Sequence, residues 1–110
     1  MVNLDGMLSI VMPAYNEEKL IYNSIKETLR IVEKFVPELE IVVVNDGSRD
    51  NTKSEIEKAV KEDDRVRMIS STKNRGKGNA IIAGVSQVEG KYVAFVDADL
   101  ELNPSQLEGY

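Results

Sequence analysis

Three acidic residues, each two positions from the next, follow a short apolar run that we predict to be a buried strand at residues 92–96. The acids are Asp97, Asp99 and Glu101. In an extended backbone, side chains two residues apart project to the same side, so the carboxylates would lie together. Like charges about 4 Å apart repel by roughly 1 kcal/mol in water, which a cation would relieve. Oxygen ligands suit Mg2+ or Mn2+. The spacing therefore predicts a metal site, and a solvated loop before another helix is the alternative.

Composition limits the chemistry that such a site could perform. The chain has 110 residues, which is one domain at most, and a net charge of −5, which argues against a non-specific nucleic-acid binder. It has no cysteine and no histidine. Disulfides, zinc–thiolate sites and thiol nucleophiles are thereby excluded, and the usual general base is missing. Acid–base chemistry must use Asp, Glu, Lys or Tyr.

The apolar stretches are far shorter than the roughly 20 residues that a membrane-spanning helix needs. The N-terminal residues have neither the basic start nor the apolar centre of a signal peptide. We therefore expect a cytoplasmic location.

Apolar runs alternate with helical periodicity along the chain. This alternation predicts an α/β fold with an open, mostly parallel sheet and flanking helices. Asn16 is predicted to cap the first helix, which would run to about Phe35, with Tyr15 packed on Leu20. The predicted strands span residues 8–12, 41–44, 66–69 and 92–96. Two further helices are predicted, one from Asp50 or Asn51 and one from about residue 76 to Gly90.

In open α/β sheets, ligands bind beyond the carboxyl ends of the strands. Each polar cluster in this sequence follows such an end: residues 13–17 after strand one, 45–48 after strand two and 97–101 after strand four. If strand one lies between strands two and four, the clusters share one edge of the sheet. That placement predicts a single binding site.

Several candidate binding residues, in these clusters and at the start of the third helix, have a structural alternative to a binding role. Asp46 could accept hydrogen bonds from a base or a ribose, or it could belong to a tight turn. Glu17 could accept a ribose hydroxyl, or it could complement a helix dipole. Tyr15 could stack on a base, or it could pack on the first helix. Lys77 could meet a phosphate at a helix N-terminus, or its flanking glycines could mark a flexible entry.

Taken together, in this order and at these intervals, the clusters resemble family 2 glycosyltransferases of the GT-A fold. The resemblance spans nearly the whole chain, and the runs at 75–78 and 96–100 are most similar to polyprenyl-phosphate (dolichyl-phosphate) mannosyl- and glucosyltransferases. The segments that carry it are Pro13-Ala14-Tyr15-Asn16-Glu17, Val44-Asn45-Asp46-Gly47-Ser48 with Asp50 and Thr52, Asn74-Arg75-Gly76-Lys77-Gly78, and Asp97-Ala98-Asp99.

The resemblance implies a role for each position. Asp46 would contact the base, and Asp99 would bind Mg2+ or Mn2+ with Asp97. Glu101 stands where many polyprenyl-phosphate mannosyltransferases have a metal-binding glutamine, and an acid there could also bind the metal. The nucleoside pocket would be lined by Pro13, Ala14, Tyr15 and Glu17, with Asp97 and Ala98 against the ribose and diphosphate.

The implied reaction is metal-dependent, inverting transfer of a hexose from a nucleoside-diphosphate sugar, GDP-mannose or UDP-glucose, to a polyprenyl phosphate. One alternative is a glycosyltransferase with a glycan or other hydroxyl acceptor, as in polysaccharide synthesis. The other is a non-catalytic fragment that binds a nucleotide. Residues 1–110 would form the nucleotide-sugar-binding part, with the acceptor part beyond them, so we expect the chain alone to be inactive. We also expect a homodimer through an uncovered sheet edge and helix-packing surface, and membrane association of a full-length protein with a lipid acceptor.

Three other classes fit the sequence less well. A nucleotidyltransferase would need a glycine-rich basic loop directly after strand one, and a dinucleotide-dependent oxidoreductase would need Gly-x-Gly-x-x-Gly there. The sequence has Pro-Ala-Tyr-Asn-Glu instead. A receiver domain would place acids after strand three, where Ser-Ser-Thr stands.

Overall fold

The computed structural model describes residues 6–98, which form a four-stranded sheet with three connecting helices. The strand order is β3-β2-β1-β4, and all neighbouring pairs are parallel. The predicted parallel α/β fold is confirmed, with strand one between strands two and four. In chain order the elements are β1 (Leu8–Ala14), α1 (Ile21–Val32), β2 (Leu39–Asp46), α2 (Thr52–Glu62), β3 (Val66–Ser71), α3 (Lys77–Val85) and β4 (Tyr92–Phe95).

Alternation along β1 and β2 divides the core between the two faces of the sheet. Ile10 and Met12 of β1 pack in the cluster with α1 and α2, whereas Val11 packs with Ala80 of α3 on the other face. Every residue of β2 is buried. The continuous β-branched run in β2 therefore has the cause predicted from the sequence, which is burial on both faces of a parallel sheet.

The fourth strand is less buried than the sequence predicted. Val93 is 39% exposed and Phe95 is 55% exposed. These residues pair with Ser9 and Val11, on the face that α3 covers, but α3 packs on β1 and β2. The prediction of a buried strand is therefore wrong for this face of β4 within the described residues. Self-association through this face stays a prediction, which sedimentation velocity would check.

The start of the first helix also differs from the prediction. The helix begins at Ile21, and Asn16 has φ of +52°, whereas a capping residue needs the extended region. Leu20 and Tyr15 are both exposed. The predicted cap is therefore wrong, and a turn closed by Ile21 N donating to Glu17 O precedes the helix instead. The packing of Tyr15 on Leu20 stays a prediction.

The first strand continues through a proline that was predicted to end it. Val11 O accepts a hydrogen bond from Val96 N, so Val11 faces β4. Positions two apart on a strand face the same neighbour, so the missing N–H of Pro13 also points toward β4. Pairing with β4 has already ended at Val11, and no hydrogen bond is lost there.

The opposite, amino end of the sheet carries a buried polar network around Glu40. Its Oε2 accepts hydrogen bonds from Ser9 Oγ at 2.6 Å and Glu89 N at 2.7 Å, and its Oε1 accepts from Arg67. Ser9 Oγ also accepts from Gly90 N at 2.8 Å. Burial opposes ionisation of Glu40, but these hydrogen bonds outweigh it and hold the pKa of the carboxyl below its usual value. The network ties the α3–β4 connection, which follows the end of α3 at Val85, to the middle of the sheet.

Among residues 6–98, no helix has the length and apolar character needed to cross a membrane.

Replacing Glu40 with Gln should destabilise the fold by roughly 2–3 kcal/mol, because the change removes the charge that pairs with Arg67 and replaces one acceptor oxygen by an NH2 group that faces existing donors. Urea denaturation measures this, and Glu57→Gln on the exposed side of α2 should stay within about 0.5 kcal/mol of wild type. Since the pKa of Glu40 is lowered on folding, its contribution is present above the usual value of 4.5 and is lost as the pH falls through the lowered pKa. Equal stability of Glu40→Gln and wild type at pH 7 would contradict this account.

Candidate functional site

A cleft of about 560 Å³ opens at the carboxyl edge of the sheet. Every residue that the sequence assigned to nucleotide-sugar binding lines it. Three further lining residues, Asn74, Gly76 and Ala80, were absent from the predicted set. The full lining is Pro13, Ala14, Tyr15, Glu17, Asp46, Asn74, Gly76, Lys77, Ala80, Asp97 and Ala98.

Asp46 ends β2, lines the cleft and is only 4% exposed. The strand extends two residues further than predicted, so the turn begins at Gly47. Asp46 Oδ1 accepts a hydrogen bond from Arg75 N at 2.9 Å, and Oδ2 accepts one from Gly76 N at 3.0 Å. Both carboxylate oxygens are therefore bound to the loop that leads into α3. Contact of Asp46 with a base stays a prediction.

Two glycines allow this loop to lie across the end of β2. Gly47 has φ of +67°, and a Cβ there would lie 2.4 Å from the carbonyl carbon of Lys73 and from Asn74 N. Gly76 has φ of +94° immediately before α3. Both conformations are in the region that side-chain-bearing residues rarely adopt. The loop between β3 and α3 is therefore shaped by its glycines and by the close approach to β2.

The loop after β1 is held by side chains that follow β2. Asn16 N donates to Ser48 Oγ at 3.0 Å, and Asn16 Oδ1 accepts from Arg49 N at 2.9 Å. Glu17 N donates to Thr52 Oγ1 at 2.8 Å. These cross-loop bonds replace the helix cap that the sequence predicted at Asn16. They place Tyr15, which is 43% exposed, and Glu17 on one wall of the cleft.

Asp50 completes this cross-loop set. Its Oδ1 accepts from Thr52 N at 2.9 Å, and its Oδ2 accepts from Glu18 N at 3.3 Å. Burial opposes ionisation of Asp50, but hydrogen bonds from the Thr52 hydroxyl and the amides outweigh it and lower the pKa of the carboxyl. The two loops are therefore fastened to each other beside the cleft, with Asp50 ionised.

Lys77 and Asp97 form an ion pair at the other end of the cleft. Lys77 Nζ lies 2.6 Å from both Asp97 oxygens, and the side chains are 60% and 27% exposed. Ala98 is buried, and its carbonyl oxygen accepts a hydrogen bond from Ser24 Oγ of α1. This bond ties the segment after β4 to α1, and Asp97 of the same segment lines the cleft.

One described residue at this end of the cleft, Asp97, has the chemistry of a cation ligand. Asp97 supplies a partly exposed carboxylate, the ligand type that Mg2+ and Mn2+ prefer, and the Lys77 ammonium already stands beside it as a positive charge. No group of three acidic, histidine or cysteine side chains able to hold a metal occurs within residues 6–98. Asp99 and Glu101, the other predicted ligands, lie outside the described residues, so the metal set stays a prediction.

Asn74 and Gly76 belong to the sequence motif but have no predicted role in binding, and Ala80 lies outside the motif. The signal for the first two was the Asn-Arg-Gly-Lys-Gly run before α3. Ala80 lacks such a signal, because a small residue on the buried side of a helix is typical of any packed helix. Its place in the lining follows from how close α3 lies to β1 and β2.

The model of the family described as Glycosyl transferase family 2 matches residues 9–109. The chain belongs to this family. The predicted family membership is confirmed, and the structural neighbours are GT-A glycosyltransferases.

Two curated relatives of this chain are polyprenyl-phosphate sugar transferases. The undecaprenyl-phosphate 4-deoxy-4-formamido-L-arabinose transferase of Proteus mirabilis is 36% identical over 101 residues, which cover 91% of this chain and 31% of the relative. The dolichyl-phosphate beta-glucosyltransferase of Trichomonas vaginalis is 41% identical over 97 residues, which cover 84% of this chain and 30% of the relative. The chain thus spans about a third of the length of these relatives.

A solved structure of similar fold is the mannosyltransferase of Pyrobaculum calidifontis in complex with GDP-Man and Mn2+. It superposes with a TM-score of 0.77 at 26% sequence identity, covering 91% of this chain and 30% of that one.

Gly47→Ala should destabilise the fold by roughly 2 kcal/mol or more, because the new Cβ meets the backbone of the 73–74 segment in a left-handed conformation. Thermal unfolding measures the change. Gly78→Ala is the matched control: it lies within α3 with open space around a Cβ, and should stabilise by about 0.5–1 kcal/mol. A Gly47→Ala protein as stable as wild type would contradict the described path of the loop.

Proposed function

We propose that the cleft binds the nucleoside-diphosphate sugar of a polyprenyl-phosphate sugar transferase, with Mg2+ or Mn2+ at the Asp97 end. The transferred group is a hexose, carried as GDP-mannose or UDP-glucose, and the acceptor is a polyprenyl phosphate. The names of the curated relatives support the acceptor class, and the GDP-Man and Mn2+ of the similar mannosyltransferase support the donor and the metal.

The observation that carries the proposal is that one cleft has an aromatic ring and a carboxylate in one part and a pair of opposite charges in another. Tyr15 and Glu17 line it on the side of the loop after β1, where a base and a ribose would find a ring and a carboxylate. Lys77 and Asp97 supply opposite charges where a diphosphate and its cation would lie. A volume of about 560 Å³ falls within the range of roughly 300–1,000 Å³ typical of small-ligand sites.

The chemistry follows from the charge that develops as the donor breaks. A sugar that departs from a nucleoside diphosphate leaves negative charge on the diphosphate. A dication bound at Asp97 and the predicted ligands Asp99 and Glu101 would stabilise that charge as a Lewis acid. Lys77 is exposed enough to turn its ammonium from Asp97 toward a phosphate oxygen, and so adds a second positive charge from the chain itself.

A phosphate acceptor suits a site with this composition. Such an acceptor is already ionised at neutral pH, so it attacks without a strong base, and attack from the face opposite the leaving group inverts the anomeric carbon. A hydroxyl acceptor, as in polysaccharide synthesis, would need a carboxylate as base, since the sequence contains no histidine. The polyprenyl-phosphate names of the relatives favour the phosphate acceptor over the hydroxyl.

We expect this chain to differ in two activities, binding of the sugar donor and transfer of the sugar. The cleft lies within the described residues, whereas the relatives are about three times as long as the matched segment. We therefore expect the 110-residue chain to form the nucleotide-sugar-binding part and to bind the donor without transferring sugar. A polyprenyl-phosphate acceptor would bring the whole protein to a membrane surface.

Titration calorimetry with UDP and with GDP at saturating Mn2+ tests the proposal. Wild type should bind at least one nucleotide, and Lys77→Met should lower that affinity by about tenfold or more, because a charge-assisted contact with the diphosphate is lost. Lys53→Met, on an exposed position of α2, should leave the affinity unchanged. No heat with either nucleotide would contradict the proposed function.

A further inference from the structure

We propose that three exposed cations at the carboxyl edge of the sheet, Arg49, Lys73 and Arg75, dock this edge on an anionic membrane surface by binding the phosphates of lipid headgroups. We call these three residues the basic edge. The inference rests on the proposed function, because a polyprenyl-phosphate acceptor lies in a membrane and has to reach the cleft that opens at the same edge of the sheet. The basic edge stands beside the cleft, since its residues are not among the described residues that line it.

The three cations belong to two loops that lie against each other. The backbone of Lys73 is so close to the loop after β2 that a Cβ on Gly47 would lie 2.4 Å from its carbonyl carbon. Arg75 N donates to Asp46 Oδ1 at 2.9 Å, and Arg49 is two residues beyond Gly47. Because consecutive Cα atoms are about 3.8 Å apart, the three backbones lie within roughly 15 Å of one another. A flat surface that meets one of these long side chains can therefore meet all three.

The charged groups of the basic edge are exposed and have no protein partner within residues 6–98. The side chains of Arg49, Lys73 and Arg75 form neither an ion pair nor a hydrogen bond with any described residue. Cations on the two long helices and on and before β3 are different, because most of them are paired with a carboxylate. The paired cations are Lys26, Arg30, Lys58, Arg65 and Arg67.

The described acids near the basic edge are engaged by the protein itself. Asp46 and Asp50 accept backbone amides on both carboxylate oxygens, and Glu18 Oε2 accepts from a further amide. Glu17 and Asp97 line the cleft, and Asp97 is in an ion pair there. The negative charges of these loops are thus directed at donors within the protein or at the cleft, and the positive charges of the basic edge are open to an external partner.

An anionic membrane suits this arrangement better than a nucleic acid does. The whole chain has a net charge of −5, so a polyanion that wraps the protein would meet repulsion, whereas a flat surface meets one edge only. Two of the three cations are arginines, whose planar guanidinium groups donate to phosphate oxygens in pairs. Each cation near an anionic leaflet raises membrane binding by about fivefold. Three cations therefore predict weak, reversible binding that salt suppresses.

The test is co-sedimentation of the 110-residue chain with phosphatidylcholine vesicles that contain roughly one-third phosphatidylglycerol, at low salt and without divalent cations. Wild type should bind these vesicles, should be released as salt is added, and should not bind vesicles of phosphatidylcholine alone. The double variant Arg49→Gln, Lys73→Gln should have a partition coefficient about 25-fold lower, or about fivefold for each charge removed.

The matched control is the double variant Lys34→Gln, Lys61→Gln. It removes the same charge from exposed positions near the C-terminal ends of α1 and α2, at the amino edge of the sheet. Its partition coefficient should stay within about twofold of wild type, because charges more than a Debye length from the lipid are screened. If the Arg49 and Lys73 double variant does not fold, Arg75→Gln is the second variant, with an expected loss of about fivefold.

Equal losses in the test and control variants, or no binding of wild type to the anionic vesicles, would overturn the inference. An oligonucleotide that binds as tightly as the vesicles at the same salt would also overturn it. Calorimetry with UDP and GDP at saturating Mn2+ separates these outcomes from the proposed function. Nucleotide binding without vesicle binding would overturn the docking surface alone, and vesicle binding without nucleotide binding would contradict the proposed function alone.

Discussion

Parallel pairing of β1 with β2 on one side and with β4 on the other is the constraint on which the site depends. In-register pairing brings Ala14 opposite Asn45 and Val11 opposite Phe95. The strand ends are therefore neighbours, and the segments that follow them must share one edge of the sheet. Segments widely separated along the sequence become the walls of a single cleft because parallel strands all end on the same side.

The polar loops above this edge are fastened to one another rather than left to solvent. Side chains after β2 bind the backbone after β1, and Asp46 binds the backbone before α3. At the other end of the sheet, Glu40 fixes the connection between α3 and β4. The segments before and after α3 are thereby bound by carboxylates of the same strand, and Lys77 at the start of α3 pairs with Asp97 in the cleft.

Much of the fold was predictable from the sequence because its cause is local. The apolar β-branched run of β2 and the helical spacing of Ile21, Ile25 and Leu29 in α1 report burial directly. The conformation of Asn16 was not predictable, since its left-handed backbone is held by Ser48 and Arg49, which are distant along the chain. The intrinsic N-cap preference of asparagine predicts a helix cap at this position, but tertiary hydrogen bonds hold the residue in a different conformation.

The site shows the same division between local and long-range causes. The residues that line the cleft follow strand ends, and strand ends can be read from hydrophobic runs. The partners of Asp46 cannot be read in this way, because a bond from the carboxylate to the amide of Gly76 spans 30 positions of sequence. The exposure of Phe95 could not be predicted either, because the sequence of a strand does not show how far a helix covers the sheet beside it.

The claim that the carboxyl edge holds one nucleotide site with a cation at its Asp97 end is tested most directly by NMR line broadening with Mn2+ and UDP or GDP. Mn2+ broadens the resonances of nearby nuclei. We predict that the amides of Gly76, Lys77 and Ala98 broaden first, while those of Ser9 and Glu40 at the opposite edge stay sharp. Broadening centred on the Glu40 edge, or spread evenly over the surface acids, would contradict the account.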